Sequence, residues 1–367
     1  MLDTTKGDGR WCGIDRELGL EGIAHSPQHH LVARWDVGEA LSRATGHDML
    51  VRWDIDREHP TPVGTHRVTP PGAHGPFGAA TATMTAGLVW LRPAPRQLDR
   101  RMWVLVSDWA TPDRAVPLPE DLYDPRRVNH ATVSPDGRLL ALAGSETLRI
   151  IDTAAHTLVL SEETLDHIGE ADDGVLGDWA VCPTFAPGRR RLAVGNTMQG
   201  SWWTFTVDLP PTGGIQLLWH REGSFTGPAH LDTGAGYPEL AGMGPTLVTG
   251  THYSPSGGLL VLRLRPDDRP HAPGSLAILD AEDGRLLRHQ PFAAPLASRT
   301  AQAPLAFGIG RGELAVGFDD GVHILDLADA NTHIGPLDKG PVHGLVADPH
   351  RGGYIIACDT GLVRLRP

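Results

Sequence analysis

The sequence predicts an all-β protein built by repeating one antiparallel β-unit, and three observations predict it. First, a phrase recurs: a short apolar strand, a Ser-Pro-Asp-Gly-like turn, a second apolar strand, and a third strand ending in Asp. Its clearest copy runs from His130 to Asp152. Second, 44 Gly and 31 Pro among 367 residues supply many turns, as short strands require. Third, no apolar period of 3.6 persists long enough to build a major helix. Repetition of one unit along a chain implies a stacked or circular array.

The elements follow in order. Copies of the first strand and its turn stand at Ile23-Ala24-His25-Ser26-Pro27, Ala131-Thr132-Val133-Ser134-Pro135, Pro183-Thr184-Phe185-Ala186-Pro187 and Thr251-His252-Tyr253-Ser254-Pro255. Looser copies stand at Leu305 to Gly308 and Leu345 to Pro349, and a seventh around Ala82 to Met84 keeps only the following strand, Leu88 to Leu91. Third strands end at Asp54, Asp108, Asp152, Asp208, Asp280 and Asp326, where a carboxylate can accept hydrogen bonds from the backbone of the next turn. The units span roughly 20–60, 78–120, 127–165, 177–222, 245–293, 302–338 and 340–367, within one domain. The last lacks residues for a fourth strand, and 9–16 precede the first unit with no unit of their own. If that segment supplies the missing strand, the array closes and buries two exposed edges.

The stretch Val128 to Leu158 resembles a unit of divergent bacterial WD-repeat-like (YVTN-like) β-propellers, and weaker matches cover most of the chain. The resemblance implies an all-β, seven-bladed β-propeller of four-stranded antiparallel blades, closed by an N-terminal strand completing the last blade. It also implies a role in binding proteins. The family's Gly-His signature appears only as Gly46-His47, inside a unit, and its Trp-Asp ending survives as Trp53-Asp54. The other units end in Ile-Asp, Val-Asp or Leu-Asp, so the His-to-Asp network of eukaryotic members is mostly absent.

Composition narrows the function. A formal net charge of -12 argues against a general nucleic-acid or anionic-membrane binder, which rewards clustered Lys and Arg. Cys12, Cys182 and Cys358 form no CxxC pair, so neither a disulfide framework nor a cysteine zinc site is expected. The start, MLDTTKGDGRW, has no basic and apolar signal pattern, and no stretch reaches membrane-span length. Lys6 and Lys339 are the only lysines amid many Arg, Ala, Gly and Pro, the bias of a GC-rich gene. The expectation is a monomeric, cytoplasmic bacterial protein.

Candidate sites come from unequal connections. Long segments at Asp36 to His47, Arg92 to Arg101, Asn196 to Trp202 and Arg263 to Gly274 read as loops on one rim, with interblade insertions at Arg57 to Gly78 and Arg221 to Gly244. Long loops on rigid scaffolds commonly carry binding. Arg96, Arg100 and Arg101 with Arg92 make one loop basic, and Arg263, Arg265 and Arg269 another; they grip an acidic partner or merely keep loops solvated. Trp179, Trp202, Trp203 and Tyr237 lie near loop-strand junctions and are either partner anchors or blade core. His130, Cys182 and His343 fall at or next to equivalent first-strand positions, where a soft metal ion could bind, yet no HExxH or close His pair supports one. No GxSxG elbow or P-loop is present; Gly308-Ile309-Gly310-Arg311-Gly312 leads into a strand and reads as a turn.

The resulting expectation is a binding scaffold without cofactor that recognises a protein or peptide on the loop-rich rim. Two alternatives stand beside it. One is a lactonase- or lyase-type enzyme with His130 or His343 as general base and Asp232 or Glu239 as the carboxylate. The other is a small-molecule sensory module.

Overall fold

The computed structural model describes most strands between residues 19 and 365 and many of the turns joining them. Residues 1–18 and the connections 37–47, 55–60, 69–80, 94–101, 109–115, 162–179, 225–245, 267–273, 293–304, 328–331 and 337–341 lie outside the described residues, as do several shorter turns. Side chains are described mainly from Leu118 onward. Among the described residues no helix is long and apolar enough to cross a membrane.

The chain divides into two compact units, one comprising 1–118 with 297–367 and the other 119–296. Every described sheet is an antiparallel meander of consecutive strands, six with four strands and one with three.

The second unit holds three sheets. The third sheet of the chain contains β9 (Val128–Val133), β10 (Leu139–Gly144), β11 (Thr147–Asp152) and β12 (Thr157–Leu160). The fourth contains β13 (Ala180–Phe185), β14 (Arg191–Met198), β15 (Ser201–Asp208) and β16 (Gln216–Ser224). The fifth contains β17 (Thr246–Tyr253), β18 (Leu259–Pro266), β19 (Ser275–Asp280) and β20 (Leu286–Pro291). First strands β9, β13 and β17 lie side by side.

The recurring turn is explained by its hydrogen bonds. Leu139 N–H donates to Ser134 Oγ at 2.8 Å, while the Ser134 hydroxyl donates to Asp136 Oδ1 at 2.5 Å and Arg138 N–H donates to the same oxygen at 3.0 Å. Ser254 repeats the first contact with Leu259 N–H at 3.0 Å. A short side chain with a hydroxyl thus closes the first hairpin from within. The Asp that ends the third strand does what the sequence expects. Asp152 Oδ1 accepts from Ala154 and Ala155 N–H, both at 2.9 Å, and Asp280 Oδ1 accepts from Glu282 N–H at 2.9 Å.

In the second unit strand alternation places the core between sheets, on both faces of inner strands such as β10 and β11. Leu139, Ala141 and Ala143 of β10 pack with Phe185, Leu192, Val194, Phe205 and Val207 of the fourth sheet. On its other face the fourth sheet presents Ala193 and Trp219 to Val248, Tyr253, Leu260, Leu262 and Ala277 of the fifth. Near-continuous apolar strands such as β10, buried throughout, result from being covered on both sides.

The first unit holds four sheets. The first contains β1 (Gly19–His25), β2 (His30–Asp36), β3 (Asp48–Asp54) and β4 (Thr61–Val68). The second contains β5 (Thr81–Thr83), β6 (Gly87–Pro93), β7 (Met102–Asp108) and β8 (Val116–Pro117). The sixth contains β21 (Leu305–Phe307), β22 (Glu313–Gly317), β23 (Gly321–Asp326) and β24 (Thr332–Pro336). The seventh has three strands, β25 (Val342–Ala347), β26 (Tyr354–Cys358) and β27 (Gly361–Leu365). First strand β25 contacts β21 on one side and β1 on the other, and β1 also contacts β5. The earliest described sheet therefore packs beside the last. The expected closing strand, 9–16, lies outside the described residues.

The seventh sheet shows what replaces the turn serine. Asp348 occupies that place, 1% exposed, and accepts a 2.5 Å hydrogen bond from Arg364 Nε on β27. A buried carboxylate needs such a partner, because an unpaired one would bear the full desolvation cost.

Candidate functional site

The feature that gathers polar residues at one level is a bulge near the start of the first strand. On β1 the register steps from Leu20 to Gly22, leaving Glu21 unpaired with β2. On β9 it steps over Asn129, on β17 over Thr249 and on β25 over His343. On β13 the two residues Cys182 and Pro183 face the single gap between Gly195 and Ala193. In β1, β9, β17 and β25 the extra residue stands five positions before the turn residue, and in β13 it comes slightly later. Glu, Asn, Cys, Thr and His are all polar or reactive types, although the strands around them are largely apolar. A bulge re-aims a side chain and ends regular pairing, and bulges are over-represented beside functional sites.

Topology fixes which end of the sheet this is. A first strand begins where the previous unit's fourth strand delivers the chain, and the second-to-third turns emerge at that same end. In the second unit Asn129, Cys182 and Thr249 lie on three adjacent first strands; in the first unit Glu21 and His343 lie on the adjacent pair β1 and β25. The sequence does not disclose this row, since a bulge leaves no composition signal. Its one trace is the repeated spacing to the turn.

The expected site residues fare differently. His130 is the ladder residue next to the bulge, paired with Ala143. Ladder partners share a sheet face, and Ala143 faces the fourth sheet, so His130 sits on the packed side of β9. Although the residue keeps some exposed surface, burial of its ring pushes the pKa down to about 4. An imidazole tuned that low is neutral at neutral pH and weakly basic, unlike an efficient general base poised near the working pH. His343 and Cys182, expected at equivalent places, are bulge residues, whereas His130 is not. Burial and, after it, the Arg263 charge lower His252 on β17 to about 4 as well.

Two expected loops are strand in their described parts. Asn196 to Trp202 is no long loop: β14 and β15 pair through Met198 with Ser201, so Trp202 stands opposite Thr197 and Trp203 opposite Asn196, both inside the ladder. The β-propensity of tandem tryptophans and a two-residue connection favour hairpin over loop. Arg263 and Arg265 likewise belong to β18, and Arg263 is 2% exposed, so it is a packed strand residue and not a loop charge. The insertions are partly strand too, since β4 occupies Thr61–Val68 and β16 runs to Ser224. Trp179, Tyr237, Asp232, Glu239, Arg96, Arg100 and Arg101 lie outside the described residues.

Where the fourth and fifth sheets meet, one turn receives many contacts. Arg189 Nη1 bonds Glu282 Oε1 at 2.5 Å, Arg191 Nε bonds Asp208 Oδ1 at 2.8 Å, and Trp219 Nε1 donates to Ala281 O at 3.1 Å. Arg221 Nη2 donates to Asp283 O at 2.6 Å. The Trp219 ring lies over Gly284, which has φ +69° and no room for a Cβ. This is an interface device, and the Arg191 and Arg189 guanidiniums hold the Glu282 carboxyl below its usual range. Among the described residues no group of three or more His, Cys, Asp or Glu side chains could hold a metal ion.

No family model and no curated protein matches the chain. Solved structures do. Hydrazine synthase from Kuenenia stuttgartiensis is similar at a TM-score of 0.56 and 14% identity, covering 99% of this chain and 97% of that one. The structure of U3-55K is similar at a TM-score of 0.58 and 10% identity, covering 93% of this chain and 89% of that one. At such identities the likeness speaks for the fold alone. Together with the repeated antiparallel meanders, it shows that the chain has a β-propeller-type fold.

Proposed function

We propose that the chain is a seven-bladed propeller acting as a non-catalytic scaffold, which binds a protein or peptide at the end of its sheets where the first-strand bulges and the long connections lie. The observation that carries this reading is the bulge row: Asn129, Cys182 and Thr249 on adjacent strands of one unit, Glu21 and His343 on adjacent strands of the other. Polar residue types recurring at the bulge position of each unit suit the alternating N–H and C=O groups of a peptide. The seven described sheets, and the contact of β1 with β25 within the first unit, support the propeller reading.

The test is affinity capture from the native host, quantified by mass spectrometry, with wild type, the triple variant Asn129→Ala/Thr249→Val/His343→Ala, and a control. Arg285→Ala suits as control because it lies at the opposite end of its sheet, 65% exposed at the side chain. The triple variant should lose the specific partner by about tenfold, a change of about 1.4 kcal/mol, while the control keeps it. Equal capture by all three folded proteins would refute the reading.

A further inference from the structure

The fourth strand of a sheet is an edge, and β20 is a weak one. Among the described residues it pairs only with β19, its ladder is interrupted at Leu287 just after the turn, and each of its residues is half-buried or exposed. Strands of this kind fray at little cost in free energy. The turn that leads into β20, Asp280 to Arg285, is closed from within. Asp280 N–H donates to Arg285 O at 2.8 Å and Gly284 N–H to Asp280 O at 2.9 Å, while Ala281 N–H donates to Gly258 O at 3.1 Å.

The fourth sheet grips that turn from two of its strands. On β16, Trp219 pairs with Thr206 and Arg221 with Thr204, so register puts both on the face that meets the fifth sheet. Trp219 Nε1 donates to Ala281 O at 3.1 Å and Arg221 Nη2 to Asp283 O at 2.6 Å. The six-membered ring of Trp219 occupies the space beside Gly284 where a Cβ would stand. From the β14 side, Arg189 and Arg191 reach Oε1 of Glu282 at 2.5 and 3.0 Å. The contacts from β16 address carbonyls and a glycine, so they depend on the shape of the turn rather than on its side chains. Trp219 is 6% exposed, which keeps water from competing for Ala281 O.

We propose that the Asp280 to Arg285 turn is a latch, through which the outer strands β16 and β20 of neighbouring sheets open as one cooperative unit. β20 begins at Leu286, directly after the gripped residues. Peeling it from β19 drags the turn off the Trp219 ring and breaks both hydrogen bonds from β16. The Glu282 ion pairs contribute less, since that carboxylate is largely exposed and solvent screens it. The latch lies at the end of the sheets opposite the bulges, so it operates whatever the protein binds there.

Hydrogen–deuterium exchange of the whole chain, read by mass spectrometry on wild type, Trp219→Phe, Arg221→Ala and Arg285→Ala, tests the latch. In wild type, amides of β16 and β20 should share one opening rate within about threefold. Arg221→Ala and Trp219→Phe, which each remove a hydrogen bond to the turn, should accelerate β20 by about fivefold or more and separate it from β16, with β10 unchanged. Arg285→Ala should leave β20 as in wild type, because that guanidinium approaches Asp280 and Asp283 of its own turn, at 3.9 Å each. A wider gap between β16 and β20 in wild type overturns the proposal. So does an unchanged β20 in both latch variants, an acceleration that β10 shares equally, or an equal effect of Arg285→Ala. If Trp219→Phe does not fold, Arg221→Ala decides by the same readings.

Discussion

Acidification should destabilise the second unit through two histidines, and the size of the effect follows from their surroundings. His130 and His252 are each lowered from 6.5 to about 4, His130 by burial and His252 by burial and then Arg263. The folded state therefore refuses a proton that the unfolded chain takes up at its ordinary pKa. Stability is fully present above the unfolded value and falls as pH drops from 6.5 toward 4. Between about pH 7.5 and about pH 5, each group contributes a loss of about 2 kcal/mol, so the pair costs about 4 kcal/mol. His289, lowered by burial, adds in the same direction. Asp152 and Glu282, lowered chiefly by the Ala155 backbone and by Arg191 respectively, act later, as pH falls through the carboxylate range. Urea unfolding at both pH values, on wild type, His130→Asn, His252→Asn and the double variant, measures this. Each single variant should shed about half of the pH-dependent loss attributed to the pair, whatever its absolute stability. If the double variant loses as much stability between the two pH values as wild type, the neutral buried imidazoles are not the cause.

Further outcomes are expected from packing and pairing. Gly284→Ala meets a positive φ and the Trp219 ring only 2.5 Å from the new Cβ, so it should destabilise by about 2 kcal/mol or more in chemical unfolding. Gly195→Ala puts its Cβ 2.5 Å from Val248 Cγ1, a stiff β-branched neighbour, and should lower the urea midpoint without the φ penalty. Asp348→Asn breaks a pair whose side chains are 0% and 4% exposed and should cost about 3–5 kcal/mol. Glu282→Gln disturbs a pair with a 56% exposed carboxylate and should change stability by less than about 1 kcal/mol, the loss shrinking with added salt. Comparing those two variants by thermal unfolding separates buried from exposed ion pairs.

Outer edges show how the architecture limits unwanted pairing. The fourth strands also bulge: β12 skips Val159 and β20 skips Leu287. These are among the exposed apolar residues, at 39% and 43%. An edge twisted by a bulge is a poorer template for another chain's strand.

The repeat unit was legible from short-range chemistry. A hydroxyl that closes a hairpin and a carboxylate that caps the following turn act within a few residues, so Ser134 and Asp152 carry their structural meaning in the sequence itself. The antiparallel meander order within a unit followed from the same signals. Register did not, because pairing depends on how one strand slides against its neighbour. That is why Trp202 and Arg263, read as loop residues beside long polar segments, proved to be ladder residues, and why the polar bulge row had no announcement beyond a spacing. Burial was equally hidden. His130 looked like a candidate base, and only its pairing with Ala143, on a face covered by another sheet, shows why burial lowers its pKa to about 4. Local hydrogen-bonding chemistry determined the unit; the contacts between units of the repeat, which no single stretch of sequence encodes, decided what each side chain faces.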